Sequence, residues 1–202
     1  RRHDDSDQFG GATSGNVGWG WSLSERARVR LSWGEGFRAP NFNELYYPGF
    51  FGSFAGNPDL EPEQSQSIEL GYAQQWGKAY QTRLSVYRSD IDDLISFSGV
   101  NNQAVNINKA EITGVEAELE GETGAWQWRM QGAWTRALDA ATDSQLLRRP
   151  ELTGLLGIGY QFDNQFDLAT EFSAVGKRPD FGGGLPGYTR LDLIASWPVS
   201  TN

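Results

Sequence analysis

The chain has 202 residues and a formal net charge of −9, with 17 Lys and Arg against 26 Asp and Glu. This acidic balance offers no electrostatic footprint for nucleic acid, so DNA and RNA are not expected partners. The sequence has no cysteine and its single histidine is His3, which argues against thiolate, cysteine-zinc and histidine-dependent catalysis, and we expect no enzyme. No apolar run approaches 18 residues, which excludes a membrane-spanning helix but not a β-barrel.

Alternation of apolar and polar residues predicts a succession of β-strands. The clearest example places Trp126, Trp128 and Trp134 on one face and polar side chains on the other. After a short strand before residue 4, the same alternation predicts strands near 16–23, 27–36, 64–75, 79–97, 102–121, 125–137, 147–161, 165–176 and 187–197. The total is about ten strands.

The predicted connections alternate in length. Short turns lie at 24–26, 76–78, 122–124 and 163–164, and long connections lie at 37–63, 138–146 and 177–186. In an up-and-down antiparallel sheet this alternation places the long loops at one end, as in outer-membrane barrels, whose short turns face the periplasm. Strands of ten or more residues, tilted by about 45°, also span an apolar band of about 25 Å. We therefore predict an all-β fold, a segment of an up-and-down antiparallel transmembrane β-barrel.

The apolar face of these strands is expected to contact lipid, and the polar face an enclosed lumen. A charge facing lipid at mid-bilayer would cost about 2–4 kcal/mol, which assigns the charged side chains to the lumen. They are Arg30, Glu69, Arg83, Glu116, Glu118, Arg129, Glu171, Arg190 and Asp192. Such charges either pair across strands or hold an internal plug. A soluble β-sandwich is the alternative fold, and it would bury the aromatic face under a second layer.

Four segments occur in the order typical of one protein family. They are GFRAPNFNELY at 36–46, GNPDLEPE at 56–63, ITGVE at 112–116 and LLRRP at 146–150. These segments and the chain around them resemble TonB-dependent outer-membrane receptors. The resemblance covers nearly the whole chain and implies an outer-membrane protein of a Gram-negative bacterium.

The resemblance also implies a 22-stranded barrel around an N-terminal plug, with energy supplied by TonB through that plug. We place residues 1–202 at about strands 11 to 20, in the C-terminal part of the barrel, so that the plug, the TonB box and the last strands lie outside this chain. Within the family the chain looks most like the cobalamin transporters, which implies a monomer in outer-membrane lipid that imports cobalamin unchanged. A siderophore or haem receptor and a plugless porin or adhesin barrel are the alternatives.

No cofactor or metal site is expected in this chain. In cobalamin receptors calcium binds acidic loops, and the resemblance places those loops in the part outside residues 1–202. The acidic cluster of Asp90, Asp92 and Asp93 lacks the spacing and the glycine of an EF-hand loop, so we interpret it as solvated acids.

Candidate ligand contacts lie in the long connections. Strand alternation would point Arg148 and Arg149 to opposite sides, so that one faces the lumen, and the resemblance places Arg148 at a ligand-contacting position. A salt bridge at the barrel rim is the alternative for Arg148.

The connection at 37–63 is long and rich in aromatic residues, which favours a functional loop. Its candidate ligand contacts are Tyr46, Tyr47, Phe50 and Phe51, and packing of the loop onto itself is the alternative. The glycine-rich segment 176–187 is interpreted as a mobile outer loop, with Asp180 and Phe181 as weaker candidates.

Overall fold

The structure is a computed structural model that describes residues 2–6, 10–98, 101–163 and 165–198, without the side chain of Asn108. In this part of the chain the elements are β1 Arg2–Ser6, β2 Gly10–Ser24, β3 Ala27–Arg38, α1 Phe42–Tyr46, β4 Glu63–Trp76, β5 Tyr80–Ser98, β6 Gln103–Thr123, β7 Trp126–Asp139, β8 Ser144–Gln145, β9 Leu152–Gln161, β10 Asp167–Val175, β11 Arg178–Asp180, β12 Gly183–Leu185 and β13 Tyr188–Ser196. Within these residues, no helix has the length and apolar character to cross a membrane.

Ten of these strands form one antiparallel sheet in chain order, from β1 through β7 to β9, β10 and β13. The two-residue strand β8 pairs with β7, and β11 pairs with β12 in a small separate hairpin. The prediction of about ten up-and-down strands is therefore confirmed. Within the described residues, β1 and β13 each pair with one neighbour, which gives the sheet two edges.

Several predicted strand ends are wrong. Strand β2 begins at Gly10 rather than near residue 16, because its first residues pair with β1. Strand β9 begins at Leu152 rather than near 147, since Arg148 has a positive φ of 60° that interrupts extended backbone. The long connection before β9 therefore runs from 140 to 151.

The segment 176–187, expected to be a mobile outer loop, contains a short hairpin in the structure. Arg178 pairs with Leu185 across the two short strands β11 and β12. Phe181 and Gly182 make the turn between them, and Gly182 and the adjoining Gly183 have φ of 77° and 152°, values that L side chains rarely adopt. The glycines in this segment thus build a hairpin.

The register separates two faces along the whole sheet, because directly paired residues of neighbouring strands lie on the same face. One continuous row is apolar and consists of Trp19, Leu31, Leu70, Val86, Val115, Trp134 and Leu152. The row beside it, on the opposite face, consists of Arg30, Gly71, Ser85, Glu116, Ala133, Thr153 and Val175. The predicted alternation is present in the structure.

The apolar face is not covered by other parts of the described chain. Seven of the eight tryptophans keep between 37% and 66% of their surface exposed. A soluble β-sandwich would bury these side chains under a second sheet, so that alternative is wrong. An apolar face of this extent requires an apolar surrounding.

A charged cluster on the outward face marks where the apolar band ends. Arg88 follows Val86 on that face, toward the end of the sheet that carries the long loops. Its guanidinium lies 2.9 Å from an Asp90 oxygen and 2.6 Å from a Glu111 oxygen. Ionised side chains at mid-bilayer are costly, so this cluster lies beyond the hydrocarbon.

The buried residues collect at the same long-loop end. Leu45 and Leu60, from the connection between β3 and β4, pack with Ile95 and Ala104 of the β5–β6 hairpin. A second cluster contains Leu94, Ala110, Ala137 and Leu146. The outer connections therefore pack against the strands that project beyond the apolar band.

Glycines on β6 make room for large aromatic side chains. A Cβ at Gly114 would lie 2.5 Å from the Tyr87 ring and hydroxyl, and one at Gly121 would lie 2.7 Å from Trp128 and against Tyr80. Gly132 on the next strand has no atom within 4 Å of its Cβ position. Gly114 and Gly121 thus allow a close approach of aromatic rings, and Gly132 does not serve this purpose.

Replacing Gly121 with Ala should destabilise the barrel by about 1–3 kcal/mol, because the new methyl group overlaps two aromatic rings in a packed position. The measurement is the urea concentration at which half of the refolded complete receptor is unfolded. Folded and unfolded receptor are distinguished by gel electrophoresis, because a folded barrel changes its migration when it is heated. Gly132→Ala is the matched control and should leave the midpoint nearly unchanged. Equal midpoints for the two variants would contradict the packing argument.

Candidate functional site

The sheet curves around a cavity of about 730 Å³ on its polar face. Residues from β3 through β10 line it, and they include Arg30, Glu69, Arg83, Glu116 and Glu118. These side chains thus face the concave side, as predicted for a lumen.

The charges on the concave side pair across strands. Arg83 on β5 lies 2.9 Å from Glu118 and 3.2 Å from Glu120 on β6, and Arg129 lies 3.4 Å from Glu171. Cross-strand pairing therefore accounts for these members of the predicted set. The cavity wall thus combines these paired charges with apolar side chains such as Leu155 and Val175.

Arg38 joins the two ends of the long connection between β3 and β4. Its guanidinium lies 2.6 Å from Glu63, the first residue of β4, and 2.9 Å from Glu44 in α1. The hydrogen bonds to Glu63 raise the pKa of Arg38 above its already high ordinary value, against the opposing effect of burial. Arg38 therefore stays charged and fixes the base of this connection.

The helix that follows Arg38 begins with a capping box. The Asn41 side chain accepts a hydrogen bond from the Glu44 N–H at 3.0 Å, and the Glu44 carboxylate accepts one from the Asn41 N–H at 2.8 Å. The same Glu44 also contacts Arg38. The sequence signal for this helix, Asn followed three residues later by Glu, was present but was not used to predict it.

The four aromatic candidates of this connection are exposed. Tyr46 and Tyr47 keep 49% and 43% of their surface accessible, and Phe50 and Phe51 keep 64% and 93%. The Phe50 and Phe51 rings meet edge to face at 4.4 Å, and Tyr46 contacts Phe42 at 5.3 Å. They offer a large apolar surface above the barrel wall.

Arg148, Asp180 and Phe181 come together in one cluster. The Arg148 Nε donates to Asp180 at 2.8 Å, and its backbone N–H donates to the Pro179 carbonyl at 2.8 Å. Its guanidinium carbon also lies 5.4 Å from the centre of the Phe181 ring. The structure thus contains the rim salt bridge that was the alternative for Arg148.

The argument from strand alternation for Arg148 and Arg149 is wrong. Both residues precede β9, and the left-handed backbone at Arg148 removes them from any strand. The orientation of Arg148 comes from its contacts with the β11–β12 hairpin. Its role in ligand contact stays a prediction.

Aromatic contacts extend this cluster to two further connections. Phe181 meets Phe54 edge to face at 5.6 Å, and Phe54 lies 6.1 Å from Phe97 at the end of β5. We call Arg148, Asp180, Phe181, Phe54 and Phe97 the loop bridge. Phe54 was not predicted as a site residue, because nothing in the sequence shows a contact between positions so far apart.

The loop bridge joins connections that lie far apart along the sheet. Four strands, β5, β6, β7 and β9, separate β4 from β10 in the sheet, which corresponds to about 24 Å along the wall at 4.8 Å per strand. The Phe54 N–H donates to the Asn101 carbonyl at 2.9 Å, which holds Phe54 at the tip of the β5–β6 hairpin, so its contact with Phe181 joins separate parts of the rim. The bridge and the cavity below it form the candidate binding site.

An up-and-down sheet with an apolar exterior, a charged interior cavity and connected outer loops defines a segment of an outer-membrane transport barrel. Residues 1–202 match the family described as TonB dependent receptor-like, beta-barrel. The chain therefore belongs to this family of outer-membrane receptors of Gram-negative bacteria. Family members are transport receptors rather than enzymes, and the family implies interaction with TonB and uptake of a nutrient.

The chain is similar to several known proteins. It is 33% identical to the vitamin B12 transporter BtuB of Vibrio vulnificus (strain YJ016) over 98% of this chain and 32% of that protein. Its fold is similar to that of the siderophore receptor PirA from Acinetobacter baumannii, with a TM-score of 0.78, 19% identity, and coverage of 98% of this chain and 36% of that one. The copper transporter OprC gives a TM-score of 0.76 and 22% identity, over 94% of this chain and 32% of that one. The chain thus spans about a third of these proteins.

Removing Arg38 should loosen the connection between β3 and β4. Arg38→Ala leaves two nearly buried carboxylates without their cation, which should cost about 1–3 kcal/mol of stability. The measurement is the rate of proteolysis within 39–62, together with the urea midpoint of the complete receptor. Arg190→Ala is the control, since that guanidinium is 64% exposed. Unchanged proteolysis of Arg38→Ala would contradict the role of Arg38 as an anchor.

The Asp180 carboxylate makes the loop bridge sensitive to acid. The hydrogen bond from Arg148 lowers the pKa of Asp180 below its ordinary value of 3.8. Its contribution to stability is therefore complete above pH 3.8 and is lost as the pH falls through the lowered value.

At pH 4 we expect pepsin to cleave the β11–β12 hairpin near Phe181 more slowly in the native receptor than in Asp180→Asn. At lower pH the two cleavage rates should become equal. The ratio of the two rates removes the pH dependence of pepsin itself. A ratio that stays constant with pH would show that the pair does not hold the hairpin.

Proposed function

We propose that this chain is part of a receptor that binds cobalamin at the cell surface and imports it unchanged, with energy from TonB. The observation that carries the proposal is the 33% identity to a vitamin B12 transporter, sustained over 98% of the chain. The identities to the siderophore and copper proteins above are 19% and 22%, at which similarity speaks for the fold alone.

The geometry of the mouth supports a large, partly apolar ligand. The exposed rings of Tyr46, Tyr47, Phe50 and Phe51 supply apolar surface, and the tyrosines add hydroxyl groups for hydrogen bonds. A cavity of about 730 Å³ lies below them in the described part of the wall. These four aromatic residues are our proposed apolar ligand contacts.

Arg148 is proposed to serve both the loop bridge and the ligand. A guanidinium has five N–H donors, and the bond to Asp180 uses one of them. The Arg148 side chain is also 64% exposed, so its remaining donors are open to amide carbonyls or phosphate on a ligand. Asp180 and Phe181 then act by holding Arg148 at the mouth.

The proposed partners follow from the family. TonB would act through a plug that contacts the charged concave face, and the apolar exterior would lie in outer-membrane lipid. We propose a monomer, in which a barrel of about 22 strands encloses the passage.

The clearest test is growth on limiting vitamin. A bacterial strain that lacks its own cobalamin receptor should regain growth on low cyanocobalamin when it expresses the complete receptor, and should lose it again when TonB is deleted. Growth restored by a ferric siderophore under iron limitation, and not by cyanocobalamin, would favour the siderophore alternative. Uptake that persists without TonB would favour a plugless porin.

Arg148→Ala should lower cyanocobalamin affinity about tenfold, the effect of losing one hydrogen bond from a charged donor. Calorimetry on the complete receptor measures it, and Arg149→Ala is the control. Asp180→Asn removes the salt bridge but keeps the Arg148 guanidinium, so it should lower the affinity for cyanocobalamin less than Arg148→Ala does. Equal losses in both variants would limit Arg148 to a structural role.

A further inference from the structure

Arg178, the first residue of β11, has a donor without a partner. Its Nη1 is buried, and it is the one side-chain nitrogen or oxygen in the described part of the chain that is buried without a hydrogen bond. The guanidinium carbon lies 5.7 Å from the centre of the Tyr188 ring. Buried polar groups almost always have partners in proteins, so an exception of this kind points to a group supplied from elsewhere.

The position of Arg178 is above the cavity. Val175 lines the cavity, and Tyr188 pairs directly with Val175 on the neighbouring strand. Because directly paired residues lie on the same face of the sheet, the Tyr188 ring lies on the lumen side of the rim. The base of the hairpin is closely packed: Gly176 donates to the Leu152 carbonyl at 2.8 Å, and a Cβ at Gly187 would lie 2.8 Å from the Val175 carbonyl. The hairpin thus holds Arg178 at the mouth by its backbone.

Neighbouring groups do not satisfy this guanidinium. The closest carboxylate in the hairpin, Asp180, is bonded to Arg148, although it also feels the positive charge of Arg178. Arg178 and Arg148 against Asp180 give this cluster a net charge of +1, two cations minus one anion, in a chain of net charge −9. An oxygen acceptor from outside the chain would complete it.

We propose that Arg178 is a specificity-determining residue of the receptor, and that its guanidinium donates to an oxygen of the transported nutrient, a phosphate or an amide carbonyl. Tyr188 holds the guanidinium plane by stacking, which keeps its paired N–H donors aimed over the mouth. The inference deepens the proposed function and depends on it.

The test uses the complete receptor, cyanocobalamin as the probe, and titration calorimetry. Arg178→Gln should weaken binding about tenfold, since it removes a charged donor. The affinity of Arg178→Lys should lie between that of Arg178→Gln and that of the native receptor. Lys177→Gln, the adjacent exposed cation, is the matched control and should stay within about twofold. The salt dependence of affinity should be shallower for Arg178→Gln than for the native receptor.

Two results would overturn the inference. One is native affinity in Arg178→Gln. The other is a loss of affinity accompanied by faster proteolysis of 176–187, which would make Arg178 a support of the hairpin only. Failure of the native receptor to bind cyanocobalamin would instead overturn the proposed function, and the same variants would then be compared with ferric enterobactin as the probe.

Discussion

The continuous ladder from β1 to β13 is the interaction on which the rest of the structure depends. Hydrocarbon supplies no partner for a backbone N–H or C=O, so each strand within the wall has to be bonded to its neighbours. Because side chains alternate along a strand, the same register that pairs the backbone also sorts Leu70 and Val86 outward and Arg30 and Glu116 inward. Pairing and polarity are thus satisfied by one arrangement.

Beyond the apolar band the outer connections are stabilised by different interactions. Water is available there, so the connections are held by small buried clusters and charge pairs instead of a ladder. Leu45 and Leu60 pack on the β5–β6 hairpin, Arg38 binds two carboxylates, and Arg148 binds the β11–β12 hairpin. Each contact is modest by itself, so the conformation of the outer end depends on several separate contacts.

The sequence was sufficient to predict the wall, because a period of two assigns every residue of a strand to a face. It was insufficient for the outer connections, whose conformation depends on long-range contacts. No residue pattern marks Arg148 as left-handed, and Phe54 and Phe181 meet across 127 positions of sequence. The glycines of 176–187 were as consistent with a loose loop as with the hairpin. The Asn41 capping box, in contrast, was a local signal that could have been read.

The charged cluster at Arg88 has a consequence for the height of the outer loops. Strand β5 continues for ten residues beyond Arg88, to Ser98, and at about 3.4 Å per residue and a tilt of about 45° this carries it about 24 Å above the hydrocarbon. Phe97 stands near that height. The aromatic contacts of the loop bridge therefore lie well outside the plane of the membrane, and the proposed receptor would meet its ligand at that height.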